Sequence, residues 1–107
     1  MNGHKRRDSA EIVYEILNAA SSGKRKTSIM YESKLNLKQL NYYLGDLTAR
    51  GLLVFEPSNR NYLSTEKGRT FAKAFQHYRE TTDLLREQEA ALGRYFTPKQ
   101  KSVEVRQ

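Results

Sequence analysis

The sequence predicts a mostly α fold with a small β-hairpin, ending in a long C-terminal helix. Apolar residues recur at helical spacing in the first fifty residues. Two short β-type runs then flank the turn residues Pro57, Ser58 and Asn59, and about thirty residues without proline follow Thr65. At 107 residues, the chain is expected to form one small domain with an appendage.

The charge of the chain predicts an anionic partner. Nineteen Lys and Arg residues stand against twelve Asp and Glu residues, which gives a formal net charge of +7. The basic residues are clustered, with HKRR at residues 4–7 and KRK at residues 24–26. Clustering favours a nucleic-acid partner over a general solubility charge.

Composition argues against several other classes of protein. The chain has no cysteine, and His4 and His77 lie far apart, so we expect no metal site and no cofactor. No pair of titratable groups or phosphate-binding glycine loop suggests an enzyme. No apolar run is long enough to span a bilayer, so a cytoplasmic, nucleoid-associated protein without membrane contact is expected.

The first helix is predicted over about Ser9 to Ala20. Residues 1–7 are expected to form a disordered basic arm. Asp8 followed by Glu11 resembles a capping box at the helix start, and Gly23 suits a left-handed position after the helix. One face of this helix is apolar and consists of Ile12, Val13, Ile16, Leu17 and Ala20.

Two further helices follow a short break. Thr27 or Ser28 is expected to cap the second helix, whose apolar residues are Ile29, Met30 and Leu35. Asn36 is a good cap for the third helix, which should run to about Arg50 and end at Gly51.

The third helix is followed by the predicted hairpin and then by the long helix. Residues 52–56 and 60–64 are expected to form the two strands. Three helices followed by a hairpin is the element order of a winged helix-turn-helix, in which the third helix enters the DNA major groove. We therefore assign residues 8–64 to this domain, residues 65–97 to a coiled-coil dimerisation helix, and residues 98–107 to a disordered tail.

The third helix has an apolar face and a polar face. Leu37, Leu40, Leu44 and Leu47 are expected to face the core. Lys38, Gln39 and Tyr42 should then lie opposite, as donors and acceptors for phosphate or base edges. Asp46 is expected to point past the groove, and Tyr43 to lie at the edge of the core.

The basic cluster and the hairpin turn add further candidates for DNA contact. The backbone amides at the start of the second helix favour binding of a phosphate group. Arg60, at the wing tip, can contact the DNA backbone or the minor groove. Each residue alone also fits an ordinary solvated surface. The complete candidate set is Lys24, Arg25, Lys26, Thr27, Lys38, Gln39, Tyr42 and Arg60.

The long helix carries an imperfect heptad pattern, with polar interruptions at Thr82 and Glu89. This pattern favours a homodimeric coiled coil, and the alternative is a helix folded back on its own domain. The candidate dimerisation residues are Phe71, Phe75, Tyr78, Thr82, Leu85, Leu92 and Phe96.

The run GKRKTSIMYESKLNLKQLNYYLGDLTARGLL, with NYLSTEKGRTF and the long last helix, resembles archaeal winged-helix DNA-binding proteins of the Sulfolobus "ten-a" chromatin type. The resemblance covers about residues 8–96. It implies an antiparallel coiled-coil dimer without enzymatic activity, a recognition helix at Asn36–Arg50 and a wing at Leu52–Leu63. Ser64 departs from the related pattern, which usually has leucine before the threonine cap.

These observations lead to one main hypothesis for function. We expect a homodimer that binds double-stranded DNA, as a transcription regulator or a chromatin or nucleoid organiser, with no evident small-molecule ligand. One alternative is a protein-interaction module that uses the winged helix and coiled coil without DNA. Another is a ligand-sensing repressor, which would need a pocket.

Overall fold

The computed structural model describes residues 7–96, and these residues fall into two units that divide after Gln76. The predicted arm up to Arg6 and the predicted tail at 98–107 lie outside the described residues. The helices and strands are α1 (Ser9–Ala19), β1 (Lys24–Arg25), α2 (Lys26–Ser33), α3 (Leu37–Ala49), β2 (Leu53–Glu56), β3 (Asn61–Ser64) and α4 (Glu66–Gly93).

The core of the first unit is built from the apolar faces of the three short helices and the start of β2. Its buried members are Ile16, Leu17, Ala20, Ile29, Leu35, Leu40, Leu44, Leu47 and Leu53. The prediction that Leu37 also faces this core is wrong, because Leu37 is 54% exposed. With 100° of rotation per residue, Leu37 lies about 50° around the helix axis from the mean direction of the three buried leucines of α3.

The helix ends largely follow the predicted signals. The Asp8 carboxylate accepts a hydrogen bond from the backbone N–H of Glu11 at 2.9 Å. Gly51, with φ of 78°, directly follows the last capping residue of α3 as predicted. Gly23, with φ of 96°, takes the predicted left-handed conformation in the turn after α1, three residues beyond the C-cap Ala20. The predicted cap of α2 is wrong, because the helix begins at Lys26 directly after the extended residue Arg25 and has no side-chain cap.

The sheet has three strands, one more than predicted. Its order is β1-β3-β2, and both pairs are antiparallel. The Lys24–Arg25 segment, expected in a loop, pairs with Tyr62 and Asn61. The hairpin itself is confirmed, and its four-residue turn contains Arg60 in the left-handed region with φ of 59°.

Ser64 is buried at the junction between the sheet and α1. Its hydroxyl donates to the Leu17 carbonyl at 2.7 Å, and its backbone N–H donates to the Ala20 carbonyl at 3.0 Å. The departure from leucine at this position therefore places a fully hydrogen-bonded polar group in the core, which fastens the end of β3 to α1.

The start of α4 packs closely against the segment that leads into β2. The Thr65 hydroxyl accepts the Gly68 N–H at 3.0 Å and donates to the Gly51 carbonyl at 2.7 Å. Gly68 is buried, and a Cβ at this position would lie 2.2 Å from the Leu52 carbonyl oxygen. Glycine is therefore required here for the close approach of helix and backbone.

Two aromatic residues of α4 pack within the first unit. The Phe75 ring lies 5.3 Å from the Tyr14 ring between centroids, and Phe71 stacks on Phe75 at 6.3 Å. Phe71 also packs against the buried core. These two predicted dimerisation residues therefore have partners inside one chain. Phe96 lies three residues beyond the end of α4, so the helix is shorter than the predicted range 65–97.

Candidate nucleic-acid interface

The connection between α2 and α3 is held in a defined conformation. Lys34 ends α2 in the left-handed region, with φ of 56° and ψ of 44°. The Arg7 guanidinium donates to the carbonyls of Ser33 at 2.6 Å and Lys34 at 3.2 Å, and it also pairs with Glu15. Arg7 was expected in the disordered arm, but it joins Glu15 of α1 to the end of α2 and to the connection that follows it.

The exposed face of α3 differs in part from the predicted one. Lys38 and Tyr42 are exposed as predicted, and Tyr42 is 67% accessible. Tyr43 is half-buried against the core and its hydroxyl lies 3.3 Å from Ser9 Oγ, which confirms its assignment to the core edge. Asn41 and Gly45 are also exposed, although neither was predicted to lie on this face.

Gln39 is exposed, but its side chain is engaged in the cap of its own helix. The Gln39 Oε1 atom accepts the Asn36 N–H at 3.1 Å, and Asn36 Oδ1 accepts the Gln39 N–H at 2.8 Å. This reciprocal pair is a capping box, and the Asn-x-x-Gln spacing of the sequence already carried the signal for it. A base contact through Oε1 would compete with this bond.

Asp46 is paired along α3. Its carboxylate accepts from Arg50 Nε at 3.1 and 3.0 Å, an i,i+4 ion pair. This pair lies beside a shallow apolar groove of about 370 Å³ lined in part by Val13, Leu47 and Phe71. Asp46 therefore lies toward α1, to one side of the exposed line of α3.

Two of the predicted basic residues, Lys24 and Arg25, lie beside the wing strand β3, whereas Lys26 and Thr27 form the start of α2. Because β1 pairs with β3, Arg25 lies opposite Asn61, the residue that follows Arg60 in the wing turn. Arg25 and Thr27 are exposed, and Lys26 is half-buried. Lys24 Nζ lies 2.9 Å from Glu32 Oε2, so its charge is offset within the chain.

The charge of the first unit is positive over its described part. Residues 7–76 contain eleven Lys and Arg residues and seven Asp and Glu residues, a net charge of +4. Four of these cations lie on β1, α3 and the wing turn, namely Lys24, Arg25, Lys38 and Arg60. Between residues 7 and 96, no group of three metal-ligating side chains lies together.

The second unit carries an exposed apolar stripe along α4. Within residues 77–96 no side chain is buried, and Tyr78, Leu85 and Leu92 are 62%, 52% and 63% exposed. Thr82 lies between them, and its hydroxyl donates to the Tyr78 carbonyl at 2.9 Å. No helix in the described part of the chain is long and apolar enough to cross a membrane.

The order of α1, α2, α3 and a β2–β3 wing defines a winged helix-turn-helix fold. A sequence model of the winged helix-turn-helix family matches residues 6–83, and the chain belongs to this family. The structure is also similar to the crystal structure of Sso10a-2, described as a DNA-binding protein from Sulfolobus solfataricus. The TM-score is 0.75 with 21% identity over 87% of this chain and 100% of that chain.

This similarity confirms the resemblance drawn from the sequence at the level of the fold. At 21% identity the similarity establishes a shared fold only. What the surface of this chain can bind has to be argued from its own residues. A search of curated proteins finds no match.

Proposed function

We propose that this protein is a homodimer that binds double-stranded DNA, as a transcription regulator or as a chromatin or nucleoid organiser. The observation that carries the proposal is the joint placement of the exposed face of α3 and the basic residues of β1 on one winged helix-turn-helix unit. The description of Sso10a-2 as a DNA-binding protein supports the same assignment.

Three exposed groups supply the chemistry for DNA contact. Lys38 lies in the first turn of α3, the part of a recognition helix that reaches base edges, and can donate to phosphate or guanine. Tyr42 lies one turn further along and offers a ring and a hydroxyl. Arg25, exposed on β1 beside the wing strand, is suited to the flanking phosphates.

Dimerisation is proposed through the apolar stripe of the second unit. Tyr78, Leu85 and Leu92 recur every seven residues, which is the spacing of one coiled-coil position. Their exposure in a single chain leaves a large apolar surface in water, and a second copy would remove it. The resemblance to the "ten-a" proteins favours the antiparallel arrangement of the two helices.

The decisive experiment is a gel-shift measurement with random and defined duplexes over a range of salt concentrations. DNA binding through phosphates should weaken steeply as salt rises, because each neutralised phosphate releases counterions. A flat salt dependence, or no shift of duplex DNA at low salt, would refute DNA binding as the function.

The same assay separates the two proposed roles. If the protein reads bases, Lys38→Ala should change the preference among defined duplexes. If this variant only weakens binding by the same factor on every duplex, the organiser role gains support.

A protein-interaction module remains the second candidate, because the same apolar stripe could receive another protein. A triple charge reversal at Arg25, Lys26 and Lys38 distinguishes the two. Loss of DNA binding by this variant supports the main proposal, whereas intact binding of a protein partner would favour the second candidate.

A further inference from the structure

We propose that a ridge along α3, formed by Leu37, Asn41 and Gly45, reads A·T base pairs in the major groove. In this reading the Asn41 carboxamide contacts adenine and the Leu37 side chain contacts a thymine methyl group. The inference rests on the proposed DNA binding and goes beyond it by naming the bases and the residues that select them.

The geometry of α3 places these residues on one line. Positions four apart lie on the same ridge of a helix, so Leu37, Asn41 and Gly45 follow one another over two turns. All three are exposed. With 100° of rotation per residue, this ridge lies on one flank of the buried leucines and Tyr43 lies on the other. On the other side of α3, Tyr43 contacts Ser9 of α1, and Asp46 pairs with Arg50 one turn further along.

Asn41 has the chemistry that adenine recognition requires. A carboxamide binds adenine with two hydrogen bonds, accepting from N6 and donating to N7. Within residues 7–96, the Asn41 side chain has no hydrogen-bond partner, and it lies in the second turn of the helix. Both of its polar atoms are thus available to a base.

Gln39 offers the same carboxamide but in a different state. Its Oε1 atom accepts the Asn36 N–H in the capping box, and this oxygen is the atom that would accept from adenine N6. Base reading by Gln39 would therefore remove one bond of the helix cap. Asn41 requires no such exchange.

Leu37 and Gly45 complete the ridge on either side of Asn41. Leu37 is 54% exposed at the first position of α3, and an exposed aliphatic group there suits the apolar C5-methyl group of thymine. Among residues 7–96, no atom outside the adjoining turns of α3 lies within 4 Å of where a Cβ on Gly45 would be, so no packing contact there requires glycine. Its small size instead permits close approach of the helix to a base-pair edge.

The test begins with selection of binding sites from random duplexes by the full-length protein. A selected adenine is then replaced by 7-deazaadenine, which lacks the N7 acceptor. The wild-type protein should lose about ten-fold or more in affinity, whereas Asn41→Ala should bind both duplexes equally. Asn41→Ala is a substitution at an exposed position, and circular dichroism would check that the fold is unchanged.

Gln39→Ala is the matched control for Asn41→Ala. It removes an equivalent carboxamide two residues away, so it should lower thermal stability through the lost cap while leaving the sensitivity to 7-deazaadenine intact. If Gln39→Ala loses this sensitivity and Asn41→Ala keeps it, the assignment is wrong.

The Leu37 contact is tested by replacing selected thymines with deoxyuridine, which lacks the methyl group. The wild-type protein should lose about four-fold in affinity, and Leu37→Ala should show no difference between the two duplexes. Selection that returns no A·T preference, with DNA binding intact, would overturn this inference but leave the proposed function standing. Absence of any DNA binding would overturn both.

Discussion

The two units of this chain differ in charge and in how they satisfy their apolar residues. The first unit buries a core between its three short helices and β2, and its described residues carry a net charge of +4. Residues 77–96 contain three basic and four acidic residues, a net charge of −1, and bury no side chain. The first unit has the components of a folded domain, whereas the second has an apolar stripe without a core.

This difference indicates a division of tasks along the chain. A stable helix in water normally needs an amphipathic face packed against something, since isolated helices gain little from propensity alone. In the first unit, the chain itself supplies that contact. In the second unit, the proposed second copy would supply it. Four pairs of matched substitutions test whether the two regions behave as differently as their surfaces suggest.

The largest effect is expected from Leu85→Lys in the second unit. Removing this apolar residue from both copies of a coiled coil should raise the dimer dissociation constant by about a hundred-fold or more. Leu84→Lys is the matched control, because Leu84 is 56% exposed beside Leu85 but lies off the heptad stripe. Light scattering at tens of micromolar protein measures the oligomeric state of both variants. A monomeric wild-type protein, or equal effects of the two variants, would contradict the proposed interface.

The next largest effect is expected from Gly68→Ala in the first unit. The new Cβ would lie 2.2 Å from the Leu52 carbonyl oxygen, so α4 or the backbone before β2 must shift, at a cost of about 3 kcal/mol. Gly93→Ala changes the same helix at a position where, among residues 7–96, no packing neighbour lies within 4 Å of the added Cβ, and it should be neutral or slightly stabilising. Urea denaturation compares the two. Equal stability of both variants would show that the close approach at Gly68 is not required.

A smaller loss is expected from Ser64→Ala. The substitution removes the donor to the buried Leu17 carbonyl and should lower the free energy of unfolding by about 1–2 kcal/mol. Thr82→Ala in the second unit removes a similar hydroxyl that donates to the Tyr78 carbonyl, but this site is more accessible to water. Water can replace that bond, so calorimetry should show little change. A larger loss of stability for Thr82→Ala than for Ser64→Ala would contradict the view that the buried Ser64 hydrogen bond is the more stabilising of the two.

The smallest effect is expected in the salt dependence of DNA binding. Arg25→Ala should reduce the slope of log K against log salt by about 0.9 for each unit that contacts DNA through this residue. Arg86→Ala removes the same charge from the second unit, where Arg86 lies 3.5 Å from Asp83, and should leave the slope unchanged. Fluorescence anisotropy over a salt series measures both. An unchanged slope for Arg25→Ala would remove β1 from the interface.

Much of the fold could be predicted from local sequence signals. The buried face of α1, the Asn36 cap and the glycine after α3 all depend on residues within one or two turns of each other. The hairpin followed from two β-type runs around a turn. Such signals act over short distances, so the sequence alone carries them.

The candidate interface was less predictable. The exposure of Lys38 and Tyr42 followed from the period of the helix. The engagement of Gln39 was not predicted, because a glutamine three residues after a cap can either complete a capping box or extend outward, and only the folded helix shows which. Asn41 was missed because Leu37 was counted as a core residue, which displaced the predicted exposed face toward Gln39.

The sequence by itself determined the three short helices, the wing, the long final helix and the clustered positive charge. Only the tertiary structure decided that Lys24 and Arg25 form a strand, since two basic residues gain strand geometry only from hydrogen bonds to β3. It also decided that Arg7 orders the connection before α3 and that Phe75 packs on Tyr14. These contacts join residues far apart in the chain, and their free energy depends on packing and desolvation, which arise only when the chain has folded.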